Sequence, residues 1–307
     1  MGQTTKIEWC DSTINPVMGC DGCELWNPKT GFQNCYAGIL TAQYGGSKGW
    51  PVTFDKPAMF PERLAQALRW SDLKGTQRPD KPWLNGYPRT IFLDDMGDAF
   101  TESLPIDWLD PHIKPMADSP HIYQFLTKRP KRMFEYFKRL GYIPSNFWLM
   151  TSITGQETIG RISNLLRLKE IDSTVILGLS VEPLLGPVNL QPYFWHNSIG
   201  FRLDNSISWI IVGGESGPNA RPMHPEWVRQ IRDQCRVAFT PFFFKQHGSW
   251  IGGSQLGNLP QEVKDKIYPY KGNPQWMDLN GKFDPEYFPR DGFITNAWED
   301  GWDLMGK

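Results

Sequence analysis

No stretch of the 307 residues is apolar for long enough to span a bilayer, and no basic segment leading into an apolar one opens the chain. Secretion and membrane insertion are therefore not expected, and a cytoplasmic location is. An excess of charge of one sign is also lacking. Lys and Arg number 32 against 33 Asp and Glu, a formal net charge of -1, which argues against indiscriminate binding to nucleic acid while leaving room for a local basic strip. Cysteine is sparse: the count of five is odd, and Cys10 and Cys235 stand apart from the rest, which is not the pattern of an extracellular disulfide framework. There is no solenoid repeat and no low-complexity tract.

What is present is an aromatic, loop-rich chain, with 14 Trp and 26 Pro, unlike a helical bundle. Apolar runs of strand length recur at 14–18, 90–93, 122–126, 147–150, 175–179, 207–212 and 241–244. Continuous runs of this kind suit strands buried on both faces. Between them Met133, Phe134, Phe137 and Leu140 share a helical face, as do Ile159, Ile162, Leu165 and Leu166, and then Val228, Ile231, Cys235 and Ala238, with Pro225 placed as a first-turn residue. Repeated βα units predict an α/β fold, a partial TIM-like (βα) barrel with parallel strands over 1–250, followed by an irregular extension over 251–307 packed on it. In such a fold reactive groups lie at the carboxyl ends of strands, and polar residues do follow the apolar runs.

The remaining three cysteines, Cys20, Cys23 and Cys35, lie in one glycine-flanked loop with spacing C-x2-C-x11-C. Thiolates bunched in a chain of this type are ligands far more often than disulfide partners. Three of them can hold an iron-sulfur cube and leave one iron open. Asn27-Pro28 and Thr30-Gly31 are turn signals that let the insert 24–34 fold back and return Cys35 to the others. The alternative is structural zinc, which favours C-x2-C pairs and takes four ligands, with Cys10 as the fourth.

Lys6-Ile7-Glu8-Trp9, Asn15-Pro16-Val17-Met18-Gly19-Cys20, Cys35-Tyr36-Ala37, Leu126-Thr127-Lys128-Arg129-Pro130, Val181-Glu182-Pro183-Leu184-Leu185-Gly186-Pro187 and Gly213-Gly214-Glu215-Ser216-Gly217 together resemble a phage-associated family of unknown function. That family is similar to radical S-adenosylmethionine proteins and more distantly to spore photoproduct lyase. In the radical group the usual spacing is C-x3-C-x2-C, from which this chain differs.

The resemblance implies a [4Fe-4S] cluster on Cys20, Cys23 and Cys35, with S-adenosylmethionine on the open iron. An external one-electron reductant then yields a 5'-deoxyadenosyl radical, for a substrate such as a nucleobase or nucleic acid. It further implies Asp95 or Asp98 for the methionyl ammonium, Ser152 or Thr154 and Glu182 for the nucleoside, and the Gly213-Gly214 backbone for close approach. Tyr36 adjoins the cluster and is a candidate for stacking. Lys128 and Arg129, directly after a strand, are candidates for phosphate contacts, against the ordinary reading of a solvated helix face. Asp94, Asp95 and Asp98 read as solvated turn acids rather than a cation site. Likewise Gly213-Gly214-Glu215 reads equally well as a tight turn. His247 fits a hydrogen-bonded structural residue better than a proton donor. The competing function is a nucleic-acid-associated binding or scaffold protein with a structural zinc or cluster site.

Overall fold

The computed structural model of the chain describes residues 2–27, 29–194, 207–217, 219–251 and 254–255. Seven strands form one parallel sheet: β1 Ser12–Ile14, β2 Thr90–Leu93, β3 Ile122–Thr127, β4 Phe147–Ile153, β5 Ile176–Val181, β6 Trp209–Gly213 and β7 Phe242–Gln246. They follow one another in chain order. A doubly wound sheet reverses its order at a switch point, so this order is that of a partial TIM-like barrel, an α/β fold as expected. The helices are α1 Tyr36–Tyr44, α2 Glu62–Ala67, α3 Asp110–Ala117, α4 Pro130–Leu140, α5 Arg161–Leu166, α6 Gln191–Phe194 and α7 Pro225–Val237. The extension expected after 250 lies almost wholly outside the described residues. Only Trp250–Ile251 and Ser254–Gln255 are seen, paired antiparallel.

The chain divides into two compact units, residues 1–151 with 167–175 and residues 152–166 with 176–307. In the first, β1, β2, β3 and β4 pair in parallel with Ser12 opposite Ile91, Thr90 opposite Ile122 and Tyr123 opposite Phe147. Their apolar runs are buried apart from the half-buried Leu126, and Met133, Phe134 and Phe137 of α4 are buried too. A left-handed Gly141 ends that helix, its N–H donating to the Phe137 carbonyl. In the second unit Gly178 lies opposite Trp209 and Ile210 opposite Phe242. Helix α7 starts where Pro225 fits, with His224 Nδ1 accepting from the Glu226 N–H, and it buries Val228, Ile231 and Cys235.

One strand differs from expectation. The run 14–18 is not continuous: β1 ends at Ile14, and Val17–Met18 pairs antiparallel with Ala58–Met59 instead. Pro16 has no N–H for the ladder, so the chain leaves the sheet there. Helix α5 is also shorter than its apolar face, and Ile159 precedes it.

The Lys6-Ile7-Glu8-Trp9 motif is structural. Lys81 Nζ donates to the carbonyls of Thr5, Ile7 and Cys10 at 2.8, 2.7 and 2.5 Å, and Trp83 Nε1 to that of Glu8 at 2.9 Å. Trp9 is buried against Phe92, with ring centroids 4.6 Å apart. Nearby, Arg78 grips Asp11 through Nε at 2.7 Å and Nη2 at 3.2 Å, while Asp11 Oδ2 takes the Thr90 N–H. Lys81→Met strips three carbonyls of their shared donor and is expected to cost about 3 kcal/mol. Urea unfolding checks this, as a lower midpoint at unchanged slope.

Candidate cluster site

Beyond the carboxyl ends of β1 and β2 two loops meet. Gly19 and Gly97 bridge there, the Gly19 N–H donating to the Met96 carbonyl at 2.9 Å. A Cβ on Gly97 would lie 2.7 Å from the Val17 carbonyl, and one on Gly19, whose φ is +87°, 2.7 Å from that of Phe54. Only glycine allows this approach. Asn15, the first residue after β1, locks the junction: its Nδ2 donates to Asp95 Oδ1 at 2.7 Å and its Oδ1 accepts from the Met96 N–H at 3.0 Å. From α2, Arg63 donates to the Asn15 carbonyl at 2.7 Å and the Gly49 carbonyl at 2.6 Å.

The insert folds as expected. Trp26–Asn27 pairs antiparallel with Phe32–Gln33, and the Asn34 N–H returns to the Leu25 carbonyl at 2.9 Å. Trp26 packs edge-on to Phe54 and over α1, where a Cβ on Gly38 would overlap its ring. This places Cys35 as the N-cap of α1, in the same apolar cluster as Met18, Cys20, Trp26, Phe54 and Met96. Cys23 stands within electrostatic reach of both Cys20 and Cys35, adding slightly to the rise of each.

Backbone N–H groups address the sulfurs: Gly22 donates to Cys20 Sγ at 3.3 Å and Leu25 to Cys23 Sγ at 3.4 Å. Burial pushes the Cys20 thiol up to about 12, against the Arg129 charge and the Gly22 N–H. Burial raises Cys35 as well, opposed by the helix-start amide of Gly38 and by Lys128. None of the five cysteines is in a disulfide.

Cys10 lies elsewhere. It precedes β1, its thiol directed at the Ile7 carbonyl 4.0 Å away, on the order of 10 Å of strand from the loop beyond the other end. A tetrahedron completed by Cys10 is therefore not assembled. Among the described residues no group of three or more His, Cys, Asp and Glu side chains is gathered tightly enough to hold a single metal ion. A cube carries its thiolates on separate corners, and three thiols with N–H donors and neighbouring cations are its donor set in chemistry.

The three aspartates are not solvated turn acids. Asp98 is buried and accepts four bonds, from Thr127 Oγ1 at 2.7 Å, Phe100 N–H at 2.9 Å, Lys128 N–H at 3.2 Å and Arg129 Nη1 at 2.9 Å. Asp94 is buried at φ +63°, a strained region for a side chain, with Oδ1 taking the Val17 N–H at 2.8 Å. Its Oδ2 has no hydrogen-bond partner among the described residues, and burial raises its pKa well above the carboxylate range. Asp95 is half-buried and raised by the same cause, opposed by Asn15. Tyr36, half exposed, donates its hydroxyl to the Asp95 carbonyl, a strut between α1 and this loop. Arg129 points inward as well, its Nη2 donating to the Gly22 carbonyl at 2.9 Å.

The other expected residues belong to the second unit. Ser152 and Thr154 are buried; the Ser152 carbonyl accepts from Arg161 Nη1 at 3.1 Å, and Thr154 turns the chain, its N–H donating to Thr158 Oγ1 at 2.9 Å. Glu182 Oε1 accepts from Lys245 Nζ at 2.6 Å and Gln246 Nε2 at 3.2 Å. The Gly213-Gly214 approach is to the protein itself. A Cβ on Gly213 would sit 3.0 Å from Glu182 Oε1, and one on Gly214 would overlap the His247 carbonyl. Glu215 is buried on Arg221, with bonds of 2.8 and 2.7 Å. A groove of about 690 Å³ beside α7, lined by Gln156, Val188, Gln230 and Gln234 among others, holds none of the expected site residues.

Asn15, the residue after β1, and Lys245, the penultimate residue of β7, are functional positions absent from the expected set, although each lies at the carboxyl end of a strand, a signal shared with Asp95 and Glu182. Arg63 carries no such signal, because a helix arginine looks solvated.

Fold and site define an α/β protein with a three-cysteine loop at the carboxyl ends of its first two strands. The chain belongs to a family described as protein of unknown function (DUF5131), which matches residues 4–275. No curated protein and no solved structure matches it. Among the described residues no helix is long and apolar enough to cross a membrane.

Gly38→Ala is expected to lift Trp26 off α1 and cost roughly 1 to 3 kcal/mol, read by thermal unfolding with the tryptophan signal. His247, buried against Phe244 with centroids 4.9 Å apart, has its pKa pushed down to about 4 by burial. The unfolded chain binds a proton that the native one refuses, so stability falls as pH drops from about 6.5 to about 4, by about 3 kcal/mol in total. Unfolding curves across that range should flatten by this amount in His247→Gln.

Proposed function

We propose that the first unit carries a [4Fe-4S] cluster on Cys20, Cys23 and Cys35, and that the protein is an enzyme of the radical S-adenosylmethionine type. The substrate class we assign is a nucleobase, free or in nucleic acid. The observation that carries this reading is the meeting of Cys20 and Cys35 in one apolar cluster, with Cys23 on the same loop and backbone N–H groups addressing the sulfurs of Cys20 and Cys23. When bound, the cluster with S-adenosylmethionine supplies cleavage of the sulfonium by one electron from an external reductant, giving methionine and a 5'-deoxyadenosyl radical that takes a hydrogen atom from the substrate.

The chain's own part is to bind, orient and keep water out. Met18, Trp26, Phe54 and Met96 form the apolar wall around Cys20. The orphaned, buried Oδ2 of Asp94 fits an ammonium, whose charge would oppose the rise in pKa that burial causes. Asp95, beside it, is the second acceptor. Asp98 already carries four protein donors and serves as a brace instead.

Anaerobic reconstitution with iron and sulfide tests the reading. The expected result is a brown protein that forms 5'-deoxyadenosine under reduction; Cys20→Ala, Cys23→Ala or Cys35→Ala abolishes iron uptake, and Cys10→Ala does not. Asp94→Asn should keep the iron and weaken S-adenosylmethionine binding by roughly tenfold or more. A colourless protein holding tetrahedral zinc would overturn the proposal. With a nucleic-acid substrate, affinity should fall steeply as salt rises.

A further inference from the structure

We infer that Arg129 is a positioning residue for the cysteine loop: a two-pronged clip that holds Gly22 in place and sets a positive charge beside Cys20. The charge arm of this inference rests on the cluster reading above, whereas the clip arm does not. Arg129 leaves the carboxyl end of β3 just before α4, with its guanidinium buried between two loops. One nitrogen donates to Asp98 Oδ2 at 2.9 Å and another to the Gly22 carbonyl at 2.9 Å. The side chains of Arg129 and Asp98 are only 13% and 6% exposed, so water competes little for either bond.

Gly22 stands between the first two cysteines and is held at both ends. Its carbonyl is on Arg129, and its N–H is on Cys20 Sγ. Movement of the guanidinium therefore moves the Gly22–Cys23 peptide, directly joined to the Asp21–Gly22 peptide whose N–H addresses the sulfur. The guanidinium itself cannot swing away, because Asp98 is fixed by three further donors. The neighbouring Asp21 completes the frame, accepting from the Ser103 N–H and Thr101 Oγ1 at 2.8 Å each.

Burial disfavours the charged guanidinium, yet Asp98 and then Cys20 hold Arg129 above its ordinary range. The charge is set near Cys20 by geometry: the guanidinium holds the Gly22 carbonyl at 2.9 Å, and the N–H of the same residue lies 3.3 Å from Cys20 Sγ. Lysine could supply the charge but not this geometry, since its donors share one nitrogen, whereas the planar guanidinium sets two separate nitrogens on Asp98 and on Gly22. Clip and charge are thus separable by substitution.

In protein without iron, Arg129→Lys and Arg129→Gln should both raise amide exchange of residues 21–24 by roughly tenfold, the loss of about one charge-assisted hydrogen bond. Asp98→Asn, which releases the guanidinium from its brace, should do the same and covers the case in which Arg129→Gln fails to fold. After reconstitution, the reduction potential should move negative in Arg129→Gln and stay near that of the parent in Arg129→Lys. Unchanged exchange in the folded variants would overturn the clip. Equal potentials in the parent and Arg129→Gln would overturn the charge role. If the parent takes up no iron, the proposed function fails, while the exchange measurement still decides the clip.

Discussion

The site depends on a contact that tolerates no side chain. Gly19 and Gly97 bring the loops after β1 and β2 together so closely that a methyl group on either would strike a carbonyl. Everything carried by the two loops follows from that contact: Cys20 and its N–H bond to the Phe54 carbonyl, Asn15 spanning to Asp95 and Met96, and Asp94 reaching back to the Val17 N–H. The strained backbone at Asp94 belongs to the same constraint, since the chain must turn sharply to present Gly97.

Around this contact apolar packing and charge oppose each other. Met18, Trp26, Phe54 and Met96 exclude water, which favours neutral thiols at Cys20 and Cys35. Arg129 and Lys128 pull the other way, one toward each sulfur, from adjacent positions on the β3–α4 connection. A partly buried set of thiols, with Cys20 innermost and cations at its edge, is the lining that the proposed cluster would need, a group that replaces thiol protons and spreads the negative charge.

Much of the fold was legible because each element repeats a simple period. Continuous apolar runs marked six of the seven strands to within a few residues, and the faces of α4 and α7 showed in the spacing of Met133, Phe134 and Phe137 and of Val228, Ile231 and Cys235. The first run misled because apolarity says nothing about hydrogen bonding, and Pro16 breaks the ladder inside it. The return of Cys35 was legible from turn residues. The burial of Asp94 and Asp98 was not, because an acid in a turn looks the same in sequence whether water or Thr127 and Arg129 meets it.

By itself, the sequence determined the order of strands and helices, the membership of the cysteine loop and the exclusion of a membrane-spanning helix among the described residues, all properties of local composition and period. Only the tertiary structure decided that Cys10 stands at the far end of β1, that Gly213 and Gly214 make room for Glu182 and His247, and that Arg129 turns inward to Gly22. Those outcomes depend on what packs across the ends of neighbouring strands. The partners there are tens of residues apart along the chain, and no local pattern encodes their meeting.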